Sequence, residues 1–280
     1  MQEYSNHLHG DEMKTINIEN TELRVSKFIF GTASLFNVGS KFRREHLLHS
    51  AVDAGFTHFD TAPYYGFGCA ERDLAKILKV YPNITFTTKV GIYSPGGESQ
   101  AEWMVFIRKA AGRVIRNISR PDIDFALSRA KSSLDDSLRR TRRERIDIYM
   151  LHEPYFEMID LPEWRRWLEE CVTLGKIRYF GLASTIDKLE PFLSRKLDLG
   201  SVVQLLDSLH HNEANILRRS GKPVQITYGY LSSALRADPK SNVTDVLRAA
   251  LERNPTGAVI VSTRQTERLS QYARLLDEAE

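Results

Sequence analysis

Three short apolar runs of the chain each stop at an ionisable side chain. Asp60 ends THFD, Lys89 ends ITFTTK, and His152 follows IDIYML, while Tyr65 lies five residues after Asp60. A carboxylate, an ammonium and a phenol buried together are costly unless they satisfy one another. The ammonium of Lys89 would stabilise a phenolate and lower the pKa of Tyr65, with Asp60 holding the lysine charged and oriented. The pattern therefore predicts a proton-transfer centre.

Each of these residues alone has an ordinary structural interpretation. Lys89 could extend its charged head to solvent from a strand end, His152 could be a satisfied core histidine, and Tyr64 and Tyr65 could both be rim aromatics. Only their joint position at successive strand ends favours a shared site. Lys89 as a Schiff-base lysine of a barrel aldolase is an alternative. No metal ion is expected, because no His-x-His pair ends a predicted strand.

Strand and helix patterns alternate along the chain in eight units. Strands are predicted at 28–31, 57–60, 84–89, 146–151, 178–183, 201–206, 224–228 and 258–262, and helices near 43–54, 70–80, 124–140, 162–174, 187–195, 212–219, 243–253 and 265–278. A β-hairpin over 14–18 and 22–26 precedes them. This alternation implies parallel pairing, and eight units close an α/β (β/α)8 TIM barrel. A doubly wound sheet is disfavoured because FIFGTASLFNVGS contains no GxGxxG turn.

The one interruption of this scheme is residues 91–121, after the third strand. Its middle, 102–118, places apolar residues on one helical face. The segment is either an extra helix covering part of the barrel or a lid over a site at the C-terminal ends of the strands. We predict a single domain over 1–280, with 1–12 as a flexible tail.

Composition narrows the class of protein. The 280 residues are 42% hydrophobic and 27% charged, with a formal net charge of +3, so we expect no nucleic-acid or membrane partner. The start lacks an apolar signal segment, and two cysteines cannot build a disulfide framework. A reduced, cytoplasmic protein is expected. The oligomeric state is left open.

Several motifs of this chain resemble the aldo-keto reductases. DTAPYYG, TTKVG and LHEP match segments that carry the family's catalytic tetrad, and the likeness extends over nearly the whole chain through LGKIRYFGLAS, VVQLLDSLHH, ITYGYLSS and VSTRQTERLSQ. The resemblance implies Asp60, Tyr65, Lys89 and His152 as the tetrad. Tyr65 would be the general acid when a carbonyl is reduced and the base when an alcohol is oxidised. The implied substrates are an aldehyde, a ketone or a sugar lactol or lactone.

The resemblance also implies a nicotinamide cofactor. Tyr228 matches the aromatic residue on which the nicotinamide ring stacks, and Gln204 matches the glutamine at its carboxamide. Arg264 and Arg268 favour a 2′-phosphate, hence NADP(H) in preference to NAD(H), which stays possible. Alternatively, these arginines are surface partners of acidic residues in the last helix. The full set of expected cofactor residues is Thr32, Ser184, Gln204, Tyr228, Gly229, Leu231, Ser262, Thr263, Arg264, Arg268 and Gln271.

The chain departs from the family pattern at three pairs of positions that are expected to bind the cofactor. Positions 183–184 read Ala-Ser where the family has Ser-Asn, 229–230 read Gly-Tyr for Ser-Pro, and 271–272 read Gln-Tyr for Glu-Asn. The change at 183–184 supports a second hypothesis, a cofactor-binding regulatory protein with little turnover. Because the chain ends soon after its last predicted helix, substrate specificity is expected from loops after strands one, three and four. The expected aromatic pocket, suited to apolar or sugar-like substrates, is Phe36, Tyr64, Phe67, Tyr93, Tyr155 and Phe156.

Overall fold

Eight parallel strands close into a barrel in the computed structural model, which describes residues 13–100 and 121–277. Around the barrel they run β3 (Phe28–Gly31), β4 (His58–Asp60), β5 (Thr85–Val90), β8 (Ile146–His152), β9 (Ile177–Ser184), β10 (Val202–Leu206), β11 (Ile226–Tyr228) and β12 (Ala258–Val261). Two short antiparallel pairs accompany them: β1 (Thr15–Asn17) with β2 (Arg24–Ser26), and β6 (Ile92–Tyr93) with β7 (Asp122–Ile123). The predicted (β/α)8 barrel with an N-terminal hairpin is confirmed.

Helices follow the barrel strands and cover them. They are α1 (Lys41–Asp53), α2 (Cys69–Val80), α3 (Leu127–Thr141), α4 (Leu161–Thr173), α5 (Ile186–Ser194), α6 (Asn215–Arg219), α7 (Tyr230–Ala237), α8 (Val243–Arg253) and α9 (Glu267–Asp277), with short 3-10 helices at Leu35–Val38 and Phe156–Met158. Side-chain caps fix some starts: Asp160 accepts from the backbone N–H of Glu163 at 3.0 Å ahead of α4. No described helix is long and apolar enough to span a bilayer.

Helix α7 is absent from the sequence prediction, which has no helix between 228 and 243. It is eight residues long and buries only Tyr230 and Ala234, four positions apart. A single apolar pair is too short a pattern to reveal helical periodicity. Its start is set by Gly229, whose φ of 104° lies in the left-handed region that glycine adopts without strain.

The apolar residues form two layers. Strand residues that point outwards, such as Phe28 and Phe86, pack with the covering helices in one large cluster. Residues that point inwards, among them Ile29, Ile148 and Met150, form a second cluster, which also contains Ile18, Leu23 and Val25 of the hairpin region. The hairpin therefore packs against the barrel interior and leaves the opposite, C-terminal ends of the strands for polar side chains.

Side-chain alternation on β4 and β5 lines part of the barrel interior with polar groups. His58 is fully buried, with its ring nitrogens 2.7 Å from Thr85 Oγ1 and 2.8 Å from Thr87 Oγ1. Burial, and secondarily the positive charge of Lys89, lowers the pKa of His58 from 6.5 to about 3. The ring is therefore neutral in the folded protein at neutral pH.

We expect this histidine to make folding sensitive to acid. Because its pKa is lower when folded, the unfolded chain binds a proton first as pH falls below 6.5, and stability declines progressively towards pH 3. The limiting contribution is about 1.4 kcal/mol per pH unit. Urea unfolding of the wild type and His58→Gln between pH 7 and pH 4 measures it, and the variant should have the shallower dependence. His46→Gln, at an exposed position of α1, is the control and should keep the wild-type slope.

The chain enters and leaves the predicted 91–121 interruption through two short strands that pair with each other. Ile92 pairs with Ile123 and Tyr93 with Asp122 in the antiparallel β6–β7 pair. The helix predicted within this segment and the predicted tail at 1–12 lie outside the described residues.

Candidate active site

Asp60 and Lys89 form a buried ion pair at the C-terminal ends of β4 and β5. Lys89 Nζ lies 2.7 Å and 2.8 Å from the two carboxylate oxygens of Asp60, and it also donates to the Thr61 carbonyl at 2.9 Å. Both side chains are almost completely excluded from solvent. The parallel register of β4 and β5 and the alternation of side chains along each strand point both groups into the barrel.

Tyr65 and His152 lie next to this pair. The ammonium of Lys89 is 5.0 Å from the centre of the Tyr65 ring, and the Tyr65 and His152 rings meet edge to face with centres 6.0 Å apart. His152 is the last residue of β8, and its ring extends from the end of that strand. The four residues singled out by type and spacing in the sequence are thus brought together.

The predicted net lowering of the Tyr65 pKa is wrong for this geometry. Burial raises the pKa of Tyr65 well above 10, and the negative charge of Asp60 raises it further. Both carboxylate oxygens of Asp60 contact the lysine ammonium, so its stabilisation of a phenolate is weakened and does not offset burial and the charge of Asp60. Tyr65 is therefore protonated at neutral pH and available as a proton donor.

The neighbouring groups respond to the same burial. Burial raises the pKa of Asp60, opposed by the charge of Lys89 and by hydrogen bonds from Lys89 and Gln204. Burial lowers the pKa of Lys89, opposed by Asp60. Burial also lowers the pKa of His152 well below 6.5, with further lowering by Lys89 and Lys188. A neutral imidazole follows, and its buried Nδ1 has no hydrogen-bond partner among the described residues.

Two further buried polar atoms near the pair lack a partner. Ser184 Oγ and Gln204 Oε1 have no hydrogen-bond partner within the described part of the chain, and they lie on adjacent strands, where Gln204 pairs with Ala183 and Leu205 with Ser184. Unsatisfied buried polar atoms are rare in folded proteins and call for an explanation. A hydroxyl can donate to the oxygen of a primary carboxamide, and an amide oxygen can accept from its NH2 group.

Tyr228 borders the same space from the end of β11. It is half-buried and donates from its hydroxyl to the Ser184 carbonyl at 3.3 Å. Of the other predicted cofactor residues nearby, Leu231 is half-buried in the first turn of α7. Thr32 is buried and donates to the Asp60 carbonyl at 3.0 Å, which joins the ends of β3 and β4.

The turn that carries Tyr228 is held by a network missed in the sequence analysis. Asp207, fully buried after β10, accepts from the Tyr230 hydroxyl at 2.6 Å and from Arg253 Nε at 2.5 Å. The network ties Tyr230, at the first position of α7, to the last residue of α8. The sequence signal that could have revealed this network is Asp207 itself, an acidic residue directly after a buried strand in VVQLLD.

The segment from 262 to 271 lies at the end of β12 and the start of α9. Thr263 is buried and its hydroxyl accepts from the backbone N–H of Gln265 at 3.0 Å, while Ser262 and Gln271 are exposed. Arg264 is exposed and forms no ion pair with the described residues. Arg268 is half-buried beside the hydroxyl of Tyr272, whose pKa it lowers against the larger effect of burial.

Three of the predicted pocket aromatics gather near the ends of β3 and β4. Phe36 and Phe67 are buried in a small cluster with Cys69, and Tyr64 beside them is half-buried. Phe67 has a φ of 57°, which is rare for a bulky side chain and marks a constrained loop. Contact of these rings with a substrate stays a prediction.

The other three pocket aromatics already make contacts within the protein. Tyr93 is buried with the Arg129 guanidinium 4.0 Å from its ring centre. Phe156 packs edge to face on Phe192 of α5, with ring centres 5.2 Å apart. Tyr155 is exposed, with Lys188 Nζ 4.7 Å from its ring centre. Among residues 13–100 and 121–277, no cluster of His, Cys, Asp and Glu is arranged to hold a metal ion.

Curated proteins are similar to part of this chain in sequence. L-galactose dehydrogenase of Arabidopsis thaliana is 25% identical over 71% of this chain and 57% of its own length. D-threo-aldose 1-dehydrogenase of a Pseudomonas species is 28% identical, covering 60% and 53%. The 6-dehydroglucose reductase of Novosphingobium aromaticivorans is 31% identical, covering 54% and 46%. The chain thus spans about half the length of these curated relatives.

Solved structures agree on the fold. An aldo-keto reductase from Bacillus halodurans in its holo form superposes with a TM-score of 0.71 at 20% identity, covering 95% of this chain and 91% of that one. The glycerol dehydrogenase of Gluconobacter oxydans gives 0.69 at 19% identity, covering 95% and 94%. The family model described as "Aldo/keto reductase family" matches residues 27–219, which include all four clustered residues. The chain belongs to the aldo/keto reductase family.

Proposed function

We propose that this protein is an NADP(H)-dependent oxidoreductase that interconverts a carbonyl and an alcohol, with Tyr65 as the proton donor and acceptor. The observation that carries the proposal is the position of a protonated, half-buried phenol between the Asp60–Lys89 ion pair and the neutral ring of His152. Sugar carbonyls are the substrate class we favour, because several relatives have names that include a sugar or a polyol.

The chain offers residues that fit a nicotinamide dinucleotide. Bound there, the cofactor would supply or accept the hydride. The unpartnered Ser184 hydroxyl and Gln204 Oε1 would hold the carboxamide, and the Tyr228 ring would provide the stacking face. Residues 262–271 would bind the adenosine end, with Arg264 and Arg268 directed to a 2′-phosphate. The hydroxyl of Ser184, which stands where the family has Asn, can still make one hydrogen bond to the carboxamide despite the departure from the family pattern at 183–184.

In the reductive direction, Tyr65 gives its proton to the substrate oxygen as the carbonyl carbon accepts hydride, so C=O becomes CH–OH. The neutral imidazole of His152 orients that oxygen by donating a hydrogen bond. The ammonium of Lys89 faces the Tyr65 ring and stabilises the phenolate that remains, while Asp60 keeps the ammonium in place. Solvent returns a proton to Tyr65. In oxidation the same steps run in reverse.

The test is a spectrophotometric assay at 340 nm with NADPH and a panel of aldehydes, ketones and aldoses, and with NADP⁺ and the matching alcohols. Turnover of at least one carbonyl–alcohol pair is expected. A titration of NADPH binding by fluorescence runs beside it. Tight binding with no turnover anywhere in the panel would instead support the cofactor-binding regulatory function, and absence of binding would overturn both.

Replacing Arg264 should reveal the preference for the 2′-phosphate. Arg264→Gln is expected to raise the Kd of NADPH about tenfold, equivalent to about 1.4 kcal/mol, because a charge-assisted contact with phosphate is lost. The Kd of NADH should change less than about twofold, since that cofactor has no 2′-phosphate. Arg274→Gln, at an exposed position of α9, is the matched control and should leave both constants unchanged. Equal weakening of both cofactors by Arg264→Gln would contradict the assignment.

A further inference from the structure

A second ion pair lies at the rim of the candidate active site. Glu153 directly follows His152, and its Oε2 accepts from Lys188 Nζ, in α5, at 2.7 Å. The side chain of Lys188 is 12% exposed and that of Glu153 is 31% exposed, so the pair is partly shielded but open on one side. This exposure differs from that of the fully enclosed Asp60–Lys89 pair.

The backbone holds Glu153 in a conformation that is unfavourable for its residue type. Its φ of 50° lies in the left-handed region, and its N–H donates to the Ala183 carbonyl at 2.7 Å. Such a conformation is unfavourable for a non-glycine residue and persists only where the surroundings enforce it. Strain of this kind concentrates at functional sites. The bend separates Glu153 from the regular alternation of β8, which ends at His152.

The charges of this pair act on the reaction centre. The negative charge of Glu153 contributes to the raised pKa of Tyr65 and of Tyr228. The positive charge of Lys188 contributes to the lowered pKa of His152. The hydrogen bonds agree: Glu153 follows His152 and donates to the Ala183 carbonyl, one residue before the Ser184 carbonyl that accepts from Tyr228, so the pair lies near both the reaction centre and the proposed stacking face.

The pair also keeps hydrogen-bonding capacity to spare. Only Oε2 of Glu153 is used by Lys188, and Oε1 accepts no hydrogen bond from the described residues. A carboxylate oxygen accepts from hydroxyl groups, and an ammonium has three N–H donors, of which one is committed to Glu153. A donor and an acceptor side by side match the vicinal hydroxyl groups of a polyol.

We propose that Glu153 and Lys188 form a substrate-binding clamp for the hydroxyl groups next to the reacting carbon of an uncharged polyhydroxy aldehyde or alcohol. The inference rests on the proposed function and names its substrate class at this site. An anionic substrate is disfavoured because Glu153 already neutralises the Lys188 ammonium, so the pair offers an anion no net positive charge. A plain alkyl substrate is disfavoured because it covers the pair without replacing the hydrogen bonds of water.

The test compares two aldehydes with the same number of carbons, glyceraldehyde and propanal. In the wild type, kcat/KM for glyceraldehyde should exceed that for propanal. Glu153→Gln should lower the ratio of the two kcat/KM values at least about tenfold, mainly through the KM of glyceraldehyde, because the charged acceptor is lost. Glu157→Gln, at an exposed position of the 3-10 helix that follows, makes the same chemical change and should keep the ratio within about twofold. An unchanged ratio in Glu153→Gln overturns the clamp.

Two further experiments distinguish failure of the clamp from failure of the proposed function. Lys188→Gln should lower the same ratio, whereas an aldehyde bearing a carboxylate should be reduced faster by Glu153→Gln than by the wild type. Binding of xylose, followed by ligand-detected NMR without turnover, should weaken in Glu153→Gln and not in Glu157→Gln. If the wild type turns over no carbonyl but binds xylose through Glu153, the proposed function fails and the clamp stands. If xylose binding is equal in both variants, the clamp fails whatever the turnover.

Discussion

Tyr65→Phe is expected to lower kcat/KM for carbonyl reduction by at least about 1000-fold, which corresponds to roughly 4 kcal/mol of transition-state stabilisation. The change removes one oxygen atom and with it the proton that the substrate oxygen must receive. Because this phenol is protonated at neutral pH, the wild type has the proton in place before hydride arrives. The ring itself remains to pack against His152.

Steady-state kinetics and NADPH titration together test this expectation. The Kd of NADPH should stay within about threefold, since the proposed cofactor contacts belong to other strands. Tyr64→Phe is the sharpest comparison, because the neighbouring phenol is half-buried and lies on the same loop, and it should cost less than about tenfold. A Tyr65→Phe protein with undiminished turnover would show that another group supplies the proton, and equal losses in both variants would remove the distinction between them.

The residues brought together at the strand ends could be predicted because they follow from one-dimensional rules. Alternation along THFD and ITFTTK points Asp60 and Lys89 to one face, and eight repeats of strand and helix bring consecutive strand ends to one rim. The resemblance added His152 and Tyr65 in their roles. Each of these inferences needs only local sequence and the topology of a closed barrel.

The direction in which the Tyr65 pKa shifts could not be predicted from composition or spacing. It depends on whether the lysine ammonium is shared with the phenol or taken up by both oxygens of Asp60, which is a matter of a few ångströms. The Asp207–Arg253 contact joins residues 46 positions apart, through packing that no local pattern encodes. The left-handed backbone at Glu153 is similarly enforced by its neighbours, since nothing in LHEP requires it.

Replacing Lys89 should separate what the buried ion pair contributes to chemistry from what it contributes to folding. Lys89→Met is expected to lower the free energy of unfolding by about 3–5 kcal/mol, because it leaves the Asp60 carboxylate buried without its counter-ion. Adding Asp60→Asn removes that uncompensated charge, so the double variant should recover at least about 2 kcal/mol of the loss. Urea unfolding of the four proteins of this cycle gives the coupling energy.

Lys176→Met is the matched control for this cycle, since Lys176 pairs with Asp135 at the same 2.7 Å but with both side chains exposed, and it should cost less than about 1 kcal/mol. Turnover should be lost in Lys89→Met and should stay lost in the double variant, because a neutral side chain cannot stabilise the Tyr65 phenolate. A double variant that regains stability without activity means that the two charges are kept in the barrel for the reaction. Recovery of turnover along with stability would mean instead that Lys89 only balances Asp60 and takes no part in the proton transfer.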